Sequence, residues 1–553
     1  MIRKQLGMNS ENVGNLSKKS TIMAVLFVIV VIGSCLRTYH FHDWLFFGSD
    51  QVTDAERVGA VVRGEAPWPL LGPDMSHSGA GGREARFHLG PMYYWFEIAS
   101  GKLFGDYPDK YAYPDLLFSI FSIPLLFLFL RRLFRIGLAF PLLGLYSVSF
   151  YMLKFSHSAW NPNSIPFFVL LFLLSLHEFV QAGRMTRWSW VVALGLSLGV
   201  GVQLHAILLV LLPAMVFFSF LLFMRKQPFA WRKWLVIIGV ALVLNAGQIR
   251  SEFDTDFANT KIFFGSVKST PGNGSGGFPA KFRNDVNCHM QANAHMISGV
   301  GSDSCDFTII KAIEKHSAYA IATLHNPWFD LGQLVAAAFS LAGYGLLIVS
   351  FRKEKDDRKK HLMGLIHLYC VLSFLVLLPV DVGLLRYFVH TFFVPLVFFG
   401  LIARFLMERF PGKCGTAIVV ASFMILTLSN ILSIRTITRE YITREHPGDN
   451  TIILGEVEGM ADFMIANAGG EKRLFIYTDR RRSNFIRSLV FIGEKKGFHI
   501  VKVEESKSVP AERPLFYLSR YDATVAGSAA DGHRIEASRI IGNVGLYKIT
   551  HEP

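Results

Sequence analysis

Residues 21–50 read TIMAVLFVIVVIGSCLRTYHFHDWLFFGSD, and the change of character inside this stretch decides the fold. From Thr21 to Cys35 there is no charged side chain, and Lys18 and Lys19 stand just before the run. A helix needs roughly 20 apolar residues to cross a hydrocarbon core of about 30 Å, where no water is present to satisfy backbone amides. The stretch therefore predicts a first span from 21 to 39, with the carboxylate of Asp50 just beyond its far end. Two lysines before an apolar run also fit a secretory leader, and Ile32-Gly33-Ser34-Cys35 resembles a lipoprotein cleavage site. The usual leucine is missing and further spans follow, so the run is read as an uncleaved first helix.

The pattern repeats along the chain. Apolar runs fall near 21–39, 113–130, 137–153, 164–181, 188–204, 206–224, 234–250, 329–351, 362–380, 389–406 and 414–433, eleven in all. With 51% hydrophobic and 18% charged residues among 553, the composition excludes an ordinary soluble protein. The net charge of +14 would suggest nucleic acid if it were gathered on one soluble face. Instead the basic residues stand between runs, at Arg131-Arg132, Arg184, Arg225-Lys226, Arg232-Lys233, 352–361 (RKEKDDRKKH) and Arg404 to Lys413. The alternate connections carry little beyond Lys154 and Arg386. Basic loops stay inside, so the N-terminal tail 1–20 is expected in the cytoplasm and, with an odd span count, the C-terminus in the periplasm.

This divides the chain into a membrane region, 21–434, and a tail, 435–553, that loses the apolar runs. Two long external segments interrupt the membrane region, 40–112 and 251–328, the second with a glycine-rich stretch from Pro271 to Gly277. Cys288 and Cys305 share that second segment and form a candidate disulfide in an oxidising compartment. In the tail, strand-like pieces at 473–479, 499–505, 514–520 and 545–550 alternate with helical stretches near 454–468 and 482–496, predicting a small external α/β domain.

The segment 40–112 carries the most specific motifs. Asp50 is followed by a charged amphipathic stretch ending in GEAPWPLLGP (64–73), then GPMYY (90–94) and LFG (103–105). WNPNSIP (160–166), QLH (203–205) and DVGLLRYF (381–388) follow in order. This series resembles the dolichyl-phosphate-mannose protein mannosyltransferase-like superfamily, which includes the lipid A aminoarabinose and galacturonic acid transferases. The resemblance covers roughly residues 20 to 430. It implies a polytopic helical glycosyltransferase of the C type that takes its sugar from a polyprenyl-phosphate carrier.

Chemistry assigns roles within that resemblance. An acceptor hydroxyl attacking an anomeric carbon must lose a proton, and a carboxylate at the membrane surface can take it. Asp50 matches the family's acidic residue and is the candidate base, against the plainer role of a helix-capping Asp. Asp54 lies one helical turn on and is the second catalytic candidate, able to perturb its neighbour or share a divalent cation. Relatives often carry Asp-Glu here, so a metal is not indicated and no cofactor is expected. The departing phosphate needs cations, and Arg386, beside Tyr387, is suited to it. Snorkelling, or pairing with Asp381, competes with that role. His88 is a further donor-phosphate candidate. His205, Asn161, Asn163 and Lys154 are candidate sugar or cavity contacts, although His205 could bridge helices and the asparagines could cap one. Relatives carry an Asp in the Trp160–Pro166 motif where this chain has amides. Tyr93, Tyr94 and Trp95 read as an interfacial aromatic belt, and Glu56 and Arg57 as surface helix charges.

The expected activity is inverting transfer of a sugar to a periplasmic acceptor, which could be lipid A, another glycolipid, a glycan or a protein. Expected partners are the lipid-linked donor, membrane lipids and that acceptor, in a bacterial inner membrane and without nucleic acid. A polyprenyl-lipid flippase and a non-catalytic lipid-binding protein are the competing readings. Convergence of polar residues near mid-bilayer would mark the flippase.

Overall fold

The computed structural model describes residues 10–76, 86–269, 277–300, 305, 327–378, 385–443, 452–478, 483–504, 509–510, 513–520, 533–541 and 544–551. Within them the apolar runs are helical. Seven are single helices able to cross a membrane by length and composition: Ser20–Thr38, Pro108–Leu133, Asn161–Met185, Ala206–Met224, Leu331–Lys353, Asp357–Leu377 and Lys413–Thr443. Three more are helix pairs bent by 48°, 62° and 65°, namely Ile136–Ser147 with Phe150–Ser156, Trp231–Leu244 with Ala246–Asp254, and Leu385–Thr391 with Phe393–Arg409. The remaining run is the 14-residue helix Trp188–Gly201. The bend after Leu244 has a local cause. Asn245 turns its amide back onto the Ala241 carbonyl at 2.8 Å and across to Gly199 at 3.0 Å, breaking the helical ladder there.

The first helix, α1 (Ser10–Thr38), is tied to its neighbours by a buried cation. Arg37 donates to Ser119 Oγ at 2.9 Å and to the carbonyls of Gly33 and Ser147 at 2.9 and 3.0 Å. After α1 the chain forms α2 (Ser49–Val62), the two-stranded antiparallel pair β1 (Asp74–Ser76) and β2 (Arg86–His88), and α3 (Met92–Phe104).

The described part of 251–328 is helical, at Ala258–Ser269 and Gly277–Ser298. The second of these packs into the bundle, where His289 Nε2 meets Tyr344 Oη at 2.8 Å and Asn293 donates to Ser340 at 3.2 Å. Asn430 donates to the Ile297 carbonyl at 2.7 Å. A segment read as a polar external loop is therefore in part a core helix, because its polar side chains find partners on facing helices. The glycine-rich residues 271–276 lie outside the described residues. Cys288 is joined to Cys305, with Cα atoms 4.9 Å apart.

The helix Lys413–Thr443 runs past residue 434, where its apolar stretch ends. Beyond it a five-stranded sheet forms from β3 (Arg473–Thr478), β4 (His499–Val503), β5 (Leu515–Arg520), β6 (His533–Ile541) and β7 (Val544–His551), in the order β4-β3-β5-β7-β6. β3 runs parallel to β4 and β5, and β7 runs antiparallel to β5 and β6. The helices Leu454–Ala466 and Ser483–Lys495 complete an α/β unit. β6 escaped the sequence reading because it is an edge strand whose side chains are largely exposed, so no apolar alternation marks it. The helical polytopic class with a small C-terminal α/β unit is borne out.

Candidate active site

Gly48 stands at the N-cap of α2, and its missing side chain leaves the helix without a side-chain cap. Asp50 stands exposed in its first turn, where the helix dipole favours a negative charge. Asp54, one turn on, is 8% exposed. Asp54 Oδ1 accepts from Tyr94 Oη at 2.5 Å, and the same hydroxyl accepts from Arg57 Nη1 at 3.2 Å. Burial pushes the Asp54 carboxyl up to about 7, opposed by the Tyr94 hydrogen bond and the Arg57 charge and reinforced by Asp50 and Asp74. Two carboxylates on one helix face thus stand in different environments, one wet and one dry.

Two glycines let α3 approach. A Cβ on Gly72 would strike the Gly90 carbonyl, and one on Gly90 would strike the side chain of Gln203. That close passage explains the Gly-Pro pairs at 72–73 and 90–91. Gln203 Oε1 in turn accepts from the Met92 amide at 3.1 Å, fixing the start of α3. His88 precedes this turn, its backbone amide donating to Asn259 at 2.7 Å and its Nδ1 facing the Gly72 carbonyl at 3.2 Å. A carbonyl only accepts, so Nδ1 carries a proton.

Between α2, α3 and the 66–72 stretch lies a cleft of about 520 Å³. Val58, Pro69, Leu71 and Ile98 give it apolar walls, and Arg57, His88 and Tyr94 supply its polar groups. An apolar trough with a cationic end suits an amphiphile whose head is anionic.

Behind Tyr94 is a dry acidic cluster. Tyr93 Oη donates to Asp115 at 2.9 Å, and Asp115 also accepts from Ser164 Oγ at 2.6 Å and the Trp160 amide at 3.1 Å. Glu97 is 1% exposed, and burial followed by the charges of Asp54 and Asp115 raises its carboxyl well above the usual range. The cluster leads to the second group of candidates. The guanidinium of Arg386 lies over the Trp160 ring at 5.3 Å, and Tyr387 meets His205 edge to face at 6.1 Å. Asp54 and Arg386 are thereby joined by a continuous run of contacts through Tyr94, Tyr93, Asp115 and Trp160.

Other candidates are used differently. Asn161 spends its amide on the Leu204 carbonyl and Asn163 on that of Ser158, at 2.5 and 2.6 Å. His205 caps the helix that follows it, its Nδ1 accepting from the Ile207 amide at 3.2 Å. Lys154 is exposed on the helix Phe150–Ser156, and the Cys288–Cys305 bridge ties Cys288 of the helix Gly277–Ser298 to Cys305 beyond its end. Asp381, the competing partner of Arg386, lies outside the described residues. Among the described residues no three His, Cys, Asp or Glu side chains are grouped to hold a metal ion.

Sequence reasoning placed Tyr93 and Tyr94 in an interfacial belt and Arg57 among surface helix charges, and it did not single out Asp115 or Glu97. One signal was available: GPMYYWFE puts Tyr93, Tyr94 and Glu97 within one helical turn, which brings two phenols and a carboxylate onto neighbouring flanks of α3.

A family model described as dolichyl-phosphate-mannose-protein mannosyltransferase matches residues 88–247. The match bears out the resemblance carried by the motifs and the expectation of an enzyme of the glycosyltransferase class. The fold is similar to ArnT from Cupriavidus metallidurans in the apo state, at 12% identity and a TM-score of 0.49, over 97% of this chain and 98% of that one. ArnT bound to undecaprenyl phosphate gives the same identity and score over 96% and 98%. The oligosaccharyltransferase AglB from Archaeoglobus fulgidus, in complex with an inhibitory peptide and a dolichol-phosphate, is 12% identical with a TM-score of 0.47, over 91% of this chain and 70% of that one. No curated protein matches the chain in sequence.

Proposed function

We propose that this protein moves a sugar from a polyprenyl-phosphate carrier to a hydroxyl of an acceptor at the outer face of a bacterial inner membrane, with inversion at the anomeric carbon. The observation that supports it most is the cleft beside α2, apolar along its walls, cationic at Arg57 and bordered by His88, with Asp50 and Asp54 on the adjoining helix. Isoprenoid carbon would occupy the walls and phosphate the cationic end. Asp50, exposed in the first turn of α2, takes the acceptor proton as the acceptor oxygen bonds to the anomeric carbon. The bond from that carbon to the phosphate oxygen breaks on the opposite face, and the phosphate leaves with the electron pair. His88, Arg57 and Arg386 meet the charge that builds on it. Asp54, sharing the helix face, tunes the basicity of Asp50 through its own ionisation. The acceptor can be lipid A, another glycolipid, a glycan or a protein.

The test is transfer of labelled sugar from a polyprenyl-phosphate donor by purified Asp50→Asn protein. Transfer is expected to be lost while donor binding stays close to wild type. Normal turnover by this variant would remove Asp50 from the role of base.

The flippase reading draws on one observation, the burial of His289 and Asn293 against Tyr344 and Ser340 inside the bundle. Detergent micelles separate the two readings, since they have no second leaflet. A transferase still forms product there, whereas a flippase has nothing to do.

A further inference from the structure

We infer that the C-terminal α/β unit holds α2 in its working position through Arg487, a positioning residue that acts by way of Glu56, on the opposite flank of the helix from Asp54, and of Thr53, about 60° round the helix from Glu56. The inference rests on the reading of Asp50 as base.

At 100° per residue, Asp50 and Asp54 lie about 40° apart around α2, and Glu56 lies about 160° from Asp54. One flank therefore faces α3 and the cleft while the other faces the α/β unit. On that second flank Arg487 Nε donates to Glu56 Oε1 at 3.0 Å and Nη1 to Thr53 Oγ1 at 2.7 Å, and Nη2 completes a fork on Glu56 Oε2. The approach to α2 is held by the same unit. Ser488 Oγ donates to the Phe47 carbonyl at 2.9 Å, and the Phe47 and Phe491 rings are 5.6 Å apart. The Phe47 amide donates to Ile452 at 3.0 Å, and the amides of Leu454 and Gly455 donate back to Leu45 and Asp43 at 2.8 and 3.0 Å.

The need for this support is visible in α2 itself. Its N-terminal Gly48 makes no side-chain cap, so the first turn, which carries Asp50, lacks the internal hydrogen bond that usually steadies a helix start. The fork reaches the next turn from outside. Arg487 and Glu56 are 46% and 42% exposed, and such surface pairs add little to global stability. A loss of rate on breaking this one reports geometry rather than unfolding.

The experiment uses the full-length chain in detergent with a labelled polyprenyl-phosphate sugar. Arg487→Ala is expected to lower kcat about 10- to 100-fold, the scale of a small misplacement of a reacting group, with donor KM changed less than about twofold. Arg487→Lys, which keeps the charge but loses the fork, should recover only part of the rate. The exchanged pair Glu56→Arg with Arg487→Glu should recover more than either single change. Hydrogen exchange of the amides of residues 49–53 should quicken in Arg487→Ala while the sheet of the α/β unit keeps its protection. A kcat within about twofold of wild type in Arg487→Ala, or unchanged exchange at 49–53, overturns the inference. The two readings fail separately: full transfer by Asp50→Asn removes the base, while the exchange measurement still decides whether Arg487 steadies α2.

Discussion

The hydroxyl of Tyr94 donates to Asp54 at 2.5 Å and is the closest polar partner of a carboxyl that burial has otherwise cut off from water. Removing it in Tyr94→Phe leaves a buried acceptor without a donor, which costs about 1–3 kcal/mol. Thermal unfolding of purified protein should register that loss. Since the Tyr94 bond pulls the Asp54 carboxyl down, its removal should also move the midpoint of that group upward.

The Asp54 carboxyl is raised from 3.8 to about 7, so the folded protein holds a proton that the unfolded chain has released. Its contribution to stability is complete below pH 3.8 and is lost as pH rises through about 7. In Asp54→Asn this slope between pH 4 and 7 should vanish from a plot of Tm against pH. Transfer should show the opposite trend in wild type. Ionising Asp54 adds negative charge beside Asp50 and strengthens it as a base, so the rate should climb across pH 7 and flatten in Asp54→Asn. An unchanged pH–rate profile in that variant would separate Asp54 from the reaction.

Arg386 rests on Trp160, and in the proposed reaction its fork meets the donor phosphate. Arg386→Lys keeps the charge but loses two-point contact, and should raise donor KM about tenfold, with Arg386→Ala larger. Steady-state kinetics with varied donor check this. A donor KM equal to wild type in both would reduce Arg386 to an interfacial anchor.

Gly90 passes so close to Gln203 that an added methyl has no room, and Gln203 is itself committed to Met92, Gly199 and Leu244. Gly90→Ala should therefore destabilise the protein by about 1–3 kcal/mol, the usual cost of overpacking. A Tm equal to wild type would mean that the α3 entry can shift without penalty.

What could be read from the chain alone was whatever a short window encodes. Each run that must satisfy its amides without water shows itself by length and apolarity, so the eleven runs match the helices found, including the bent pairs. Four strands and two helices of the C-terminal unit were legible for the same reason, whereas exposed β6 carried no alternation to read. The acid at Asp50 and the basic Arg386 were visible as charges at the ends of apolar runs. Only the tertiary structure decided which acid is wet and which is dry. It also drew the polar helix Gly277–Ser298 into the bundle, and it set Arg487 against Glu56 across 431 residues. Burial and pairing are properties of what lies opposite a residue in space, and folding brings those neighbours from distant segments that no local pattern records.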